Sequence, residues 1–148
     1  EKALHGIVQL LYRENEYIDI LLQEQIKTDY DVRVIVVNGE VMGAMKRPII
    51  EGDFRSNVSQ GSKPEIHQLT EIEKQESIKA AESVDGDIVG VDFIPAKNRE
   101  KEFPYFIEVN STPGLIGIEK TIKGITSEVL KMYMNRDNWT WLLTTKVV

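Results

Sequence analysis

The chain has 148 residues, 41% hydrophobic and 28% charged, the composition of one globular domain large enough to bury a core. Its formal net charge of −6 argues against non-specific binding to nucleic acid or an anionic membrane, and no apolar stretch reaches membrane-spanning length. The absence of cysteine rules out disulfides, thiolate metal sites and a cysteine nucleophile, and favours a reducing, cytoplasmic setting.

Leu4, Ile7, Val8 and Leu11 recur at helical spacing, so residues 1–13 are predicted as an amphipathic helix. A polar turn at 14–16 leads to a predicted strand at 18–26. Strands at 32–37 and 41–45 flank Asn38-Gly39, a strong hairpin signal because both residues tolerate positive φ. Residues 47–63 are rich in glycine, serine, asparagine and charge and are expected to form a long loop. Thr70 and Glu73 have capping-box spacing and start a second helix, whose apolar face is Ile78, Ala81 and Val84; Asp85-Gly86 ends it. A strand at 88–94, a polar excursion at 97–102 and a strand at 103–109 follow. After a Pro/Gly loop at 111–117, Ile118, Ile122, Ile125, Val129 and Met132 carry a helical period, with Gly124 as the expected break. Residues 1–135 are taken as one domain and 136–148 as a tail, in which Trp139, Trp141 and Leu143 alternate as in an edge strand. The order predicts an α+β fold, a mostly antiparallel sheet with helices packed on one face.

Two of these strands contain a charge that their neighbours do not explain. Ile88–Ile94 is apolar except for Asp92, and Glu108 sits among apolar residues two positions before Asn110. Strand side chains alternate, so Glu108 and Asn110 share a face. A carboxylate in such a strand needs a partner. Two carboxylates and an amide oxygen are hard ligands of the kind Mg²⁺ takes beside phosphate oxygens. The alternative is the polar side of a half-exposed sheet.

Seven ordered motifs extend this pattern: Gln23-Glu24-Gln25-Ile26, Asp31-Val32-Arg33, Ala44-Met45-Lys46-Arg47, the stretch from Glu51 to Asn57, Gly90-Val91-Asp92, Glu108-Val109-Asn110, and the stretch from Ser111 to Lys120. Together they resemble the C-terminal lobe of the ATP-grasp fold, and within it the RimK-like carboxylate–amine ligases. The resemblance covers roughly residues 18–125 and implies ATP and two Mg²⁺ ions, replaceable by Mn²⁺. It implies an acyl-phosphate route that joins an amino acid such as glutamate to the carboxylate of a peptide or protein, or of a small acid. Asp92, Glu108 and Asn110 would be metal ligands, with Glu108 bridging the two ions. Glu24 and Gln25 would lie at the hinge, where backbone groups read adenine. Asp31 would reach the ribose, although turn chemistry serves as well for that residue. Arg55, Ser56 and Asn57 would meet the phosphates. Arg55 and Arg47 would carry transition-state charge, with Arg33 a further candidate, because a guanidinium grips phosphate bidentately. The loop at 111–117 would face the substrate or act as a plain connector.

The match also departs from the family. The upstream lobe, with its glycine-rich loop and ATP-holding lysines, has no counterpart; Lys2 and Lys27 do not fit those roles. The chain alone is therefore expected to be inactive. Ser59-Gln60-Gly61 lacks the basic pair common there, and 96–102 looks like an insertion. Two alternatives stand beside the ligase: a non-catalytic nucleotide- or partner-binding module, and a glutathione-synthetase-like enzyme acting on small molecules. A homo-oligomer is expected, with the tryptophan-bearing tail as a candidate interface. His5 and His67 match no motif and are expected at the surface.

Overall fold

The computed structural model describes residues 2–14, 17–21, 23–49 and 63–134. Its centre is a five-stranded antiparallel sheet in the order β3-β2-β1-β4-β5. The strands are β1 (Tyr30–Val37), β2 (Glu40–Pro48), β3 (Glu65–Ile66), β4 (Ile88–Ile94) and β5 (Tyr105–Asn110). The helices are α1 (Lys2–Glu14), α2 (Glu71–Glu82), α3 (Ile116–Thr121) and α4 (Ile125–Met134).

β1 and β4 are rich in β-branched residues and lie at the middle of the sheet, where such side chains pack on both faces. Alternation along β1 sends Val32, Val34 and Val36 to one face, where they join Ala44, Val89, Val91, Phe93 and Ala81 of α2. Ile35 and Val37 go to the other, against Met45, Ile118, Ile125 and Val129. The fold class is the expected one, but the helices are spread more widely: α2 covers one face, and α3 and α4 cover one end of the opposite face. Gly43 permits that second packing. A Cβ there would lie 2.7 Å from the δ-methyl of Ile125 and 2.9 Å from that of Ile122.

Three predicted local signals are present in detail. Asn38 (φ 51°) and Gly39 (φ 79°) make the hairpin turn, and Asn38 Nδ2 donates to the Met132 carbonyl at 3.2 Å, tying the turn to α4. Thr70 caps α2 reciprocally with Glu73. Gly124, at φ 87°, separates α3 from α4 as expected. Glu119 then accepts from the N–H groups of Gly124 and Thr126, which would otherwise be orphans at the start of α4; these bonds hold its carboxyl below the ordinary range.

Other expectations need correction. No strand forms at 18–26 in its described residues, because no described strand lies beside it and a strand without a ladder has no partner for its backbone. β2 runs on to Pro48, so Arg47 lies in the sheet and not in a loop. β5 is an edge strand among the described residues, and its Tyr105, Phe106 and Ile107 are exposed. His67 is not a surface residue. It is only 8% exposed, stacked near Tyr30 and Phe93. His5 is exposed as expected. The tail at 136–148 lies outside the described residues, as does Asn135.

Candidate functional site

The face that carries α3 and α4 at one end carries charge at the other. Parity makes this possible: Asp31 and Arg33 share the face of Ile35, and Arg47 shares the face of Gly43 and Met45. Register then aligns the groups. Asp31 is paired with Arg47 across β1 and β2. Arg33, Asp92 and Glu108 form one row across β1, β4 and β5.

Within this patch the charges form a chain of ion pairs. Arg33 Nε donates to Asp92 Oδ1 at 2.7 Å and its Nη2 to Oδ2 at 2.6 Å. Arg47 makes the same bidentate grip on Asp31, at 2.7 and 2.6 Å. The Nη2 of Arg47 also donates to Asp92 Oδ2 at 2.8 Å. Asp31, Arg47 and Asp92 are 3%, 6% and 4% exposed, so each needs the others to remain charged. Burial alone would pull the Arg47 guanidinium down, but hydrogen bonds and charge from Asp31 and Asp92 hold it above its ordinary value. Arg33, with its side chain 18% exposed, has a path to solvent.

Glu108 stands opposite Asp92, which places their Cβ atoms about 5 Å apart. Its side chain is exposed and makes no hydrogen bond or ion pair with any described residue. Asn110 lies on the same face, opposite Gly90. A bulge at Ile107 interrupts the alternation expected for β5, but both residues follow it and still face together. The Oδ1 of Asn110 accepts from the Thr112 N–H at 2.8 Å, which turns the following loop back over the sheet. There Pro113 sits over Gly90, and a Cβ on Gly90 would meet the Pro113 Cβ at 2.8 Å.

The donor set fits a hard cation. Two carboxylates and an amide oxygen share one face beside a proline-bearing loop. The fit has two restrictions: Asp92 already accepts three hydrogen bonds, and Asn110 Oδ1 accepts from the Thr112 N–H and, at 3.3 Å, from the Thr112 hydroxyl. Among the described residues no three histidine, cysteine or acidic side chains converge, so the set rests on Asn110 and on ligands from outside the protein.

The other expected residues fall elsewhere or outside the described residues. Glu24 and Gln25 are exposed in irregular chain, which leaves their backbone groups free to read a ligand edge. Asp31 is no turn residue. It is the second residue of β1, with both oxygens on Arg47. Arg55, Ser56 and Asn57 lie outside the described residues. Sequence reasoning missed that Arg33 is the partner Asp92 requires. The signal was available: Arg33 is the one charge in the predicted strand at 32–37, as Asp92 is in the predicted strand at 88–94. It also missed Arg99, which binds buried Glu73 at 2.7 and 2.8 Å and secures the start of α2 beside His67.

Comparison with known proteins follows the same lines. The profile of the RimK-like ATP-grasp domain matches residues 3–132. A probable alpha-L-glutamate ligase of Aeromonas salmonicida is 34% identical over 143 residues, covering 93% of this chain and 46% of that protein. A ribosomal protein bS6–L-glutamate ligase of Escherichia coli is 39% identical over 122 residues, 81% of this chain and 39% of the relative. The chain thus spans less than half the length of these curated relatives. Among solved structures, a D-alanine–D-alanine ligase from Bacillus anthracis aligns with a TM-score of 0.58 at 12% identity, over 90% of this chain and 48% of that one. The ATP-grasp ligase PsnB, solved with a precursor variant, Mg and ADP, aligns at 0.57 and 20%, over 75% and 34%. These structural matches speak to the fold alone.

Proposed function

The chain belongs to the RimK-like ATP-grasp family, and from that premise we propose that it supplies the metal- and phosphate-facing lobe of an ATP- and Mg-dependent carboxylate–amine ligase. The observation that carries this reading is the row Arg33–Asp92–Glu108, with Asn110 beside it, at the end of a sheet face whose other end is packed with apolar side chains.

The chemistry divides into two transfers. The acceptor carboxylate attacks the γ-phosphorus of ATP, and ADP leaves with the electrons of the broken P–O bond. The amine then attacks the carbonyl carbon of the acyl-phosphate, and phosphate departs as the C–N bond forms. Carboxylates are poor electrophiles, and the phosphoryl group gives them a leaving group. Mg²⁺, when bound, neutralises phosphate charge. Asp92 and Glu108 would hold it, and Asn110 would add a neutral oxygen. Arg47, fixed by Asp31 and Asp92, presents positive charge without rotamer freedom to lose. Arg55, Ser56 and Asn57 are assigned to the phosphates, Asp31 to the ribose side, and the backbone at Glu24 and Gln25 to adenine. The names of the relatives suggest the substrates proposed here, L-glutamate as the amine donor and a protein carboxylate as acceptor; the setting proposed is the cytoplasm.

The test is calorimetric titration of Mg·ATP into the full-length protein and its Asp92→Asn and Glu108→Gln variants, followed by phosphate release with glutamate and an acidic peptide. Each variant is expected to weaken nucleotide binding and abolish phosphate release. Unchanged release in both variants overturns the metal assignment. Nucleotide binding with no phosphate release for any carboxylate and amine supports the non-catalytic module instead.

A further inference from the structure

We infer that Arg33 keeps a bare divalent cation off Asp92, so that the site accepts metal only together with nucleotide phosphates. This rests on the metal assignment above and goes beyond it, because it gives Arg33 a task that is neither transition-state charge nor plain structure.

A carboxylate has about four acceptor directions, two on each oxygen. Arg33 takes one on each oxygen of Asp92, and Arg47 takes a second on Oδ2. One direction on Oδ1 remains. Charge adds to this. Asp31, Asp92 and Glu108 bring three negative charges and Arg33 and Arg47 two positive ones, so Arg33 lowers the attraction for a dication by cutting the net charge of the cluster from −2 to −1. A bare dication therefore meets one open lone pair on Asp92 and two nearby guanidinium groups. A metal that arrives on a triphosphate brings its own ligands, and the arginines then favour the complex because they face phosphate.

The two arginines are not equivalent. Arg47 is buried and locked to Asp31 as well as Asp92. Arg33 is held among the described residues by Asp92 alone and is partly exposed. Removing Arg33 opens two directions on Asp92 and leaves Arg47 with both its partners. Arg33 is thus a positioning residue that controls the charge and the free lone pairs of Asp92.

The experiment is titration of Mn²⁺ alone, followed by the loss of its aqueous electron-paramagnetic-resonance signal. It compares wild type, Arg33→Gln, Arg33→Lys and the double variant Arg33→Gln/Asp92→Asn, with thermal unfolding recorded for each. Arg33→Gln is expected to bind Mn²⁺ at least about tenfold more tightly than wild type, since a unit charge close to a dication is worth that much even at high effective dielectric. The double variant is expected to lose the gain. Arg33→Lys keeps the charge but loses the fork, and is expected to show a smaller gain. A purely structural Arg33 would lower the unfolding temperature without raising metal affinity. Folded Arg33→Gln that binds Mn²⁺ no better than wild type overturns the inference; if that variant does not fold, the same result in Arg33→Lys does so. Titration of wild type with Mn²⁺ plus ADP separates the two levels. If that complex binds through Asp92 and the variants gain nothing, the proposed function stands and only the role of Arg33 falls. If the complex does not bind but the variants gain metal, Arg33 screens Asp92 and the nucleotide reading falls.

Discussion

Glu73 is a carboxylate that the fold buries almost completely, at 1% exposure, and then surrounds with donors. Arg99 gives it Nε at 2.8 Å and Nη2 at 2.7 Å, the Thr70 N–H lies at 3.0 Å, and His67 Nε2 at 3.3 Å. Burial pushes its carboxyl up, but the Arg99, His67 and Thr70 bonds prevail and bring it from 4.5 down to about 2. The charged form is thus favoured by folding. That stability is fully present above the unfolded value near 4.5 and is lost as pH falls toward 2. The gap corresponds to roughly 3 kcal/mol, a large share of the 5–15 kcal/mol typical of a domain. Urea unfolding followed by circular dichroism, for wild type and Glu73→Gln at pH 7 and near pH 2.5, isolates it. At pH 7 the variant is expected to be about 3 kcal/mol less stable. Near pH 2.5 most of that difference is expected to vanish, because wild type is losing the same charge. A difference that stays constant with pH would falsify the electrostatic account and leave only packing. The outcome bears on the site, because His67 packs edge-on against Phe93, the residue after Asp92.

Gly43→Val is expected to cost about 1–3 kcal/mol in a thermal melt, since its side chain must displace the methyl ends of Ile122 and Ile125. Gly90→Ala presses on the rigid ring of Pro113 at 2.8 Å; calorimetry is expected to show weaker Mg–nucleotide binding and assays a raised KM for ATP, with the unfolding temperature little changed. Asp31→Ala takes the bidentate partner from buried Arg47, which keeps its bond to Asp92, and is expected to cost about 1–3 kcal/mol, while Asp31→Ala/Arg47→Met recovers most of it. An equally unstable double variant would show that the pair is not the cause.

The legible parts of this fold were those written in consecutive residues. Thr70 with Glu73, Asn38 with Gly39, and Gly124 each act within a few positions, and each appears where its local chemistry demands. The lone Asp92 and Glu108 were also legible, because an unexplained charge in an apolar strand stands out. The identity of the partner was not. Arg33 and Asp92 are 59 positions apart, and Arg47 and Asp92 are 45 apart. Only the strand order β2-β1-β4 brings them together, and nothing in any one segment encodes that order. His67 was misplaced for the same reason, since its burial depends on Arg99, 32 positions later. The segment at 18–26 has the apolar content of a strand, yet a strand is a property of pairs and its partner is not among the described residues.

The ladder skips Met42 in β2 and Ile107 in β5. On either side of each skipped residue the neighbours already sit on the faces that an uninterrupted ladder would give them. The two positions are therefore the places where chain length can change by one without turning the chemistry over. Deleting Met42 leaves Gly43 and Arg47 facing as they do now, and deleting Ile107 leaves Glu108 opposite Asp92. Loss of one residue between Gly43 and Arg47 instead turns Arg47 to the far side of the sheet, and loss of Val109 separates Glu108 from Asn110. Insertions and deletions in related chains should accordingly collect at these two bulges and spare the residues from Gly43 to Arg47 and from Glu108 to Asn110.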